Sequence, residues 1–208
     1  MNAATQSLTL QGQTGVIEAL RDAPSDGVIQ GTAVIAHPHP LFGGTMQNKV
    51  VQTLARAFVQ CGWQAVRFNF RGVGASAGTY DEGRGEAEDM LAVIEQVAPE
   101  GPLALAGFSF GAFVTSHVTQ ALVPVRSVEK LVLVGTAASR FTVAPITPEL
   151  HDRALVLHGE RDDTVPLASV MDWARPQSLP VTVIPGVEHF FHGQLPLLKN
   201  LVVRHLRA

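Results

Sequence analysis

The sequence predicts an α/β fold: a mostly parallel central sheet flanked by helices. Three observations carry this. Short apolar segments alternate with longer ones whose apolar residues recur every three or four positions, the pattern of βαβ units with right-handed crossovers. Val128 to Val134 is almost continuously apolar, as a strand covered on both faces requires. The helical segments run to roughly 10 to 13 residues, long enough for crossovers. The 208 residues suffice for one sizeable core, and a single domain is expected over 1–208, with no internal repeat or linker.

Taken in order, Ser7 to Leu10 and Gly15 to Leu20 alternate apolar and polar residues, an edge hairpin turning at Gln11-Gly12-Gln13. Arg21 to Gly27 reads as a loop, and Val28 to Ala36 as the first core strand. Asn48 to Gln60 places Val51, Leu54, Ala55, Phe58 and Val59 on one helical stripe, ended by Gly62. A strand follows at Trp63 to Phe70, then a helix at Glu86 to Val97 with Met90, Leu91, Ile94 and Val97 inward. Pro102 to Ala106 is a strand and Phe110 to Leu122 a helix. Beyond Val134 come a strand at Arg153 to His158, a short helix at Val165 to Trp173, a strand at Val181 to Ile184 and a closing helix at Leu195 to Leu206. Gly135 to Asp152 has room for a loop and one short helix, not for a substantial cap domain.

A formal charge of −3 gives no electrostatic reason to expect a nucleic-acid partner. The single cysteine, Cys61, allows no intrachain disulfide and favours a reducing, cytoplasmic location. The first residues, MNAATQSLTLQGQTG, lack the basic and apolar regions of a signal peptide. No apolar run approaches the roughly 20 residues of a membrane span, so no membrane insertion is expected.

The strongest chemical signal is Gly107-Phe108-Ser109-Phe110-Gly111. This G-x-S-x-G follows an apolar strand and opens a helix, the context in which a strained turn exposes a serine nucleophile. The glycines remove side chains that would collide there, and the Phe110 N–H can meet a developing oxyanion. With 19 glycines in the chain a chance match is the competing reading, but Ser76, in another glycine-rich stretch, has no strand before it.

A serine hydroxyl needs a base, and the base needs an orienting carboxylate. His158-Gly159-Glu160-Arg161-Asp162-Asp163-Thr164-Val165-Pro166 follows a strand and carries two adjacent aspartates. Asp162 is preferred as the acid; Asp163 is its rival, and the one not used is free to cap the next helix. His189, between the last strand and the last helix, is the preferred base, with His192 as rival. His117, His158 and His205 are read as structural, His158 bracing the acid loop.

The segment after the first core strand, Ala36-His37-Pro38-His39-Pro40-Leu41-Phe42-Gly43-Gly44, is placed to supply a second oxyanion donor. Proline has no N–H, which leaves Leu41 as first choice and Phe42 as second. His37 and His39 lack the further ligands of a metal site and are expected to hydrogen-bond within the loop. Arg71-Gly72-Val73-Gly74 lacks both the third glycine of a dinucleotide loop and the lysine of a phosphate loop. Its glycines suit a tight turn, and Arg71 is expected to form an exposed pair with Glu86 or Asp89.

The segments HPHPLFGGTMQNKV, RFNFRGVGASAGTYDEGRGEAEDM, GFSFGAF, HGERDDTVP and GVEHFFHG together resemble the small lidless bacterial α/β-hydrolases, serine esterases related to the dienelactone hydrolases. The resemblance runs from about residue 31 to the end and implies the α/β-hydrolase fold. It matches Asp162 to the acid before the Val-Pro pair and His189 to the base before the paired phenylalanines. It also matches the Leu41 region to the oxyanion loop, although the double-proline form departs from the simpler loop of many lipases. Dienelactone hydrolases use cysteine where this chain has Ser109, so that substrate is not carried over.

The implied activity is hydrolysis of a small carboxylic ester by Ser109, His189 and Asp162 through an acyl-enzyme, with Leu41 and Phe110 as oxyanion donors and no metal or cofactor. Phe42, Phe141 and Phe190 are the expected contacts for the substrate; Phe110 and, less so, Phe108 are further aromatic candidates. The same groups suit a thioesterase. They also suit a small-peptide hydrolase if Glu160 or Glu188 binds a free amine. A non-catalytic binding protein would keep the fold without the chemistry. A homodimer joined through an edge strand or an exposed apolar surface is compatible with catalysis.

Overall fold

The computed structural model describes residues 5–25 and 27–208; the readings that touch the first four residues and Asp26 lie outside them. Eight strands form one sheet: β1 (Thr5–Gly12), β2 (Gly15–Asp22), β3 (Gly31–Ala36), β4 (Trp63–Phe68), β5 (Leu103–Phe108), β6 (Lys130–Val134), β7 (Ala154–Gly159) and β8 (Val181–Ile184). Their order is β1-β2-β4-β3-β5-β6-β7-β8. Pairing is antiparallel from β1 through β2 to β4 and parallel from β4 to β8. The helices are α1 (Lys49–Gln60), α2 (Arg84–Val97), α3 (Phe110–Leu122), α4 (Leu167–Ala174) and α5 (Leu195–Arg207).

The alternation of side chains along each strand divides the core into two layers. Val34, Phe68, Leu105 and Leu133 join Met90 and Val93 of α2 and Val114 and Val118 of α3 on one face. Ile35, Ala106 and Val134 join Leu54 and Phe58 of α1 and Leu198 and Val202 of α5 on the other. A sheet covered on both faces needs strands without polar alternation, which is why β5 is buried at every position. Between β6 and β7 the chain makes only a loop and one 3₁₀ turn, Pro148–Arg153, so no lid covers the sheet's C-terminal edge. Among the described residues no helix is long and apolar enough to cross a membrane.

The opening hairpin is longer than its alternation suggests. Thr5 pairs with Asp22 and Gly12 with Gly15, so the turn falls at Gln13-Thr14 rather than one step earlier. β2 continues through Arg21 and Asp22, which the sequence assigns to a loop. The cause lies in β4: the Arg67 guanidinium donates to Asp22 Oδ2 from Nε and Nη2 at 3.1 and 2.8 Å, and from Nη1 to the Met46 carbonyl at 2.9 Å. At the other boundary β3 starts at Gly31, not Val28; Val28 and Ile29 are exposed.

Arg71 also departs from expectation. Its Nε and Nη2 donate to Asp89 Oδ2 and Oδ1 at 2.8 and 2.9 Å, and both side chains are buried, not exposed. Glu86 does different work, accepting the N–H of Asp81 at 2.9 Å and of Gly83 at 2.8 Å to start α2. Removing one partner of a buried pair leaves the other charge uncompensated. Asp89→Asn is therefore expected to cost about 3 kcal/mol or more, read as a fall in the urea midpoint. A loss under about 1 kcal/mol, the range of exposed pairs, would contradict this.

Candidate active site

Strand β5 delivers Ser109 at the sheet's C-terminal edge. Ser109 has φ 57° and ψ −117°, a left-handed conformation that a residue with a Cβ adopts only under constraint. The two motif glycines supply the room. A Cβ on Gly107 would lie 2.3 Å from the Gly111 carbonyl oxygen, and one on Gly111 would lie 2.5 Å from the carbonyl oxygens of Ala36 and His37. The turn is pinned from the sheet by the Ser109 N–H, which donates to the Val134 carbonyl at 2.8 Å. Ser109 stands at the N-cap of α3 without using its hydroxyl as a cap. Among the described residues the Phe110 N–H has no acceptor, as expected of a donor at a helix N-terminus.

The loop after β8 brings in His189, 2% exposed, with Nε2 3.0 Å from Ser109 Oγ. Its Nδ1 lies 2.6 Å from Asp162 Oδ2. The ring rests near Phe108, centroids 4.9 Å apart, so Phe108 is a buried floor beneath the imidazole and not a cavity wall. Gly135, the first residue after β6, makes space for the ring: a Cβ there would lie 3.1 Å from His189 Cε1. Sequence reasoning passed over Gly135, whose only signal is its place directly after a strand.

The two aspartates separate cleanly. Asp162 is buried; its Oδ1 accepts the N–H groups of Thr164 at 3.0 Å and Val165 at 2.7 Å, leaving Oδ2 for His189. Asp163 is exposed and meets only the Thr164 hydroxyl, at 3.4 Å. Asp163 does not cap the next helix either, because α4 starts at Leu167 with Pro166 at its N-cap. His158 braces this loop from below: it is fully buried, Nε2 lies 2.9 Å from the Val165 carbonyl, and burial lowers its pKa. His192 is turned to solvent, its Nδ1 3.0 Å from Glu188 Oε1.

After β3 the chain forms a 3₁₀ turn, Pro40–Phe42, whose own hydrogen bonds occupy the two N–H groups expected as oxyanion donors. The Leu41 N–H donates to His39 Nδ1 at 3.2 Å, and the Phe42 N–H to the His39 carbonyl at 3.1 Å. Leu41 is 66% exposed and outside the cavity. His39 lines the cavity beside Ser109 and Phe110, and its own N–H has no acceptor among the described residues. The prolines on either side of His39 mask its N–H in the sequence, where the N–H groups after Pro40 are the evident donors.

His37 anchors the base of the same loop. Its Nε2 accepts the Phe70 N–H at 3.0 Å, so the proton resides on Nδ1, which donates to the Pro38 carbonyl at 2.6 Å. Burial pushes its pKa down from 6.5 to about 4. The unfolded chain therefore takes up a proton that the folded one refuses. Stability is complete above pH 6.5 and is lost as pH falls toward 4, by about 3 kcal/mol from this residue. Urea midpoints across that window should decline less steeply in His37→Asn than in the parent; parallel curves would contradict the assignment.

These elements enclose a cavity of about 350 Å³ with Ser109 and His189 at its base. Phe42, Phe141 and Phe190, the three expected contacts, all line it, and so does Phe110. Asn48 and Arg140 line it as well, and the sequence marked neither.

Residues 35–148, more than half of the chain, match the family described as serine aminopeptidase, S33. An uncharacterized protein of Rickettsia prowazekii is 31% identical over 180 residues, covering 76% of this chain and 71% of that one. A Xanthomonas campestris structure described as an α/β serine hydrolase without lid is 36% identical with a TM-score of 0.88, covering 100% of this chain and 95% of the other. An α/β serine hydrolase homologue from Coxiella burnetii is 39% identical with a TM-score of 0.81, covering 97% of each chain. With that fold, no lid and these relatives, the chain belongs to the serine aminopeptidase S33 family of α/β-hydrolases and is a serine hydrolase.

Proposed function

We propose that the protein is a carboxylesterase acting on small esters through Ser109, His189 and Asp162. One observation carries this reading: the His189 imidazole bridges Ser109 Oγ at 3.0 Å and Asp162 Oδ2 at 2.6 Å. His189 Nε2 takes the Ser109 proton as Oγ attacks the ester carbonyl. Asp162 stays ionised and holds the proton on Nδ1, so that Nε2 is the basic nitrogen. The N–H groups of Phe110 and His39 receive the oxyanion in place of the Phe110 and Leu41 pair expected at first. His189 then protonates the leaving alkoxide, and water activated by the same nitrogen hydrolyses the acyl-enzyme. Every step uses groups of this chain, and the scheme calls for no metal or organic cofactor.

Esters are favoured over peptides with a free amino end by what the cavity lacks. Among the described residues no aspartate or glutamate side chain lines it. Glu160, one of the two amine-binding candidates, instead accepts the Gly186 N–H at 2.8 Å. Glu188, the other, accepts the N–H groups of Phe190 and His192 at 2.9 and 2.6 Å. Kinship with the dienelactone hydrolases is part of this reading and rests on the order of the five segments alone. A single domain over 1–208, placed in the cytoplasm on its lone cysteine, completes it, and a homodimer through the β1 edge remains compatible.

The test is a panel of p-nitrophenyl esters of graded acyl length, run beside thioesters and aminoacyl anilides. The expected result is turnover of the esters, with preference for acyl groups that fit a cavity of about 350 Å³. Turnover confined to thioesters or to the anilides would overturn the carboxylesterase reading.

A further inference from the structure

One wall of the cavity carries a full charge with no counter-charge. Arg140, in the loop after β6, lines the cavity together with Ser109, Phe42 and Phe141. Its guanidinium carbon lies 5.8 Å from the Phe42 ring centroid. Phe42 comes from the loop after β3, and β3 and β6 flank β5, so these two side chains meet across the nucleophile turn. Among the described residues no carboxylate lies within ion-pair distance of Arg140, although seven arginine–carboxylate pairs link Arg67, Arg71, Arg84, Arg153 and Arg175 to their partners. Glu82 lines the adjoining groove with Arg140 but sits 3.6 Å from Arg84. The acid nearest the chemistry, Asp162, is enclosed by His189 and two backbone N–H groups. The positive charge is felt inside the cavity: after burial, it is the second cause that lowers the pKa of His39.

A guanidinium is weakly hydrated and planar, rests readily on an aromatic face and presents a fork matched to a carboxylate. Held on the wall of a cavity that also carries four phenylalanines, it provides a polar anchor for one end of a small molecule whose other end lies at Ser109. We propose that Arg140 is a specificity-determining residue that selects esters bearing a carboxylate, the anion resting on its guanidinium while the ester carbonyl sits at Ser109. This rests on the esterase reading and names its substrate class.

The test measures kcat/KM on two matched pairs. One pair places the carboxylate on the acyl side, p-nitrophenyl valerate against mono-p-nitrophenyl glutarate. The other places it on the leaving group, phenyl acetate against 3-carboxyphenyl acetate. The parent is compared with Arg140→Gln and Arg140→Lys; the side chain is exposed, so both variants are expected to fold. In at least one pair the anionic-to-neutral ratio should be about 10-fold higher in the parent than in Arg140→Gln, with Arg140→Lys between them. The difference should shrink at high salt. Ratios unchanged by Arg140→Gln in both pairs would overturn the proposal, while turnover of the neutral esters that depends on Ser109 would leave the esterase reading standing. If the parent turns over none of the four esters, the esterase reading fails and this proposal fails with it.

Discussion

Ser109→Ala is expected to lower kcat for ester hydrolysis by at least about ten-thousand-fold, because the variant has no atom to form the acyl-enzyme. The fold should survive. The Ser109 hydroxyl makes no capping bond to α3, and the backbone bonds that hold the turn come from the Ser109 N–H and carbonyl, which alanine keeps. A melting temperature within a few degrees of the parent would separate lost chemistry from lost structure. Residual activity within about tenfold of the parent would mean that another group attacks the substrate.

The second large effect is expected at Asp162. Asp162→Asn should reduce kcat by about a thousand- to ten-thousand-fold, with Asp163→Asn within about twofold of the parent. An asparagine amide at this position would donate to His189 Nδ1 and force the proton onto Nε2, where it faces Ser109 and cannot accept a proton. The amide oxygen would still accept from Thr164 and Val165, whose N–H groups now meet Asp162 Oδ1 at 3.0 and 2.7 Å, so the loop should hold. The exposed Asp163 makes no contact with His189 and serves as the control. Equal losses in the two variants, or a larger loss at Asp163, would reverse the assignment.

Much of the fold was legible because the sheet is covered on both faces. Such strands must be apolar throughout, and the helices between them must show one apolar stripe; β5 is buried at every position, and Val51, Leu54, Ala55 and Phe58 of the α1 stripe are buried. The boundaries were lost where a distant partner decides them. Asp22 reads as a loop residue until Arg67, 45 positions away, binds it inside the sheet. Arg71 reads as exposed until α2 brings Asp89 over it.

Within the site, Ser109 was legible because its strain demands glycine at two nearby positions, leaving a mark in the sequence. His189 and Asp162 were legible as loop and chain order, but Asp162 and Asp163 differ only in which way the chain turns after β7. The loop after β3 was less legible for a local reason: the 3₁₀ turn at Pro40 occupies the Leu41 and Phe42 N–H groups, while the His39 N–H has no acceptor among the described residues. Arg140 left no mark because only the folded chain brings the loop after β6 beside Phe42 and Ser109.

The central claim is that Ser109 is the nucleophile, and covalent trapping tests it most directly. The parent, treated with a fluorophosphonate and followed by intact mass and peptide mapping, should gain one adduct on Ser109, while Ser109→Ala gains none. Asp162→Asn should be labelled far more slowly than the parent, since the same imidazole must accept the proton. Stoichiometric labelling at another residue, or labelling of Ser109→Ala at the parent's rate, would contradict the account.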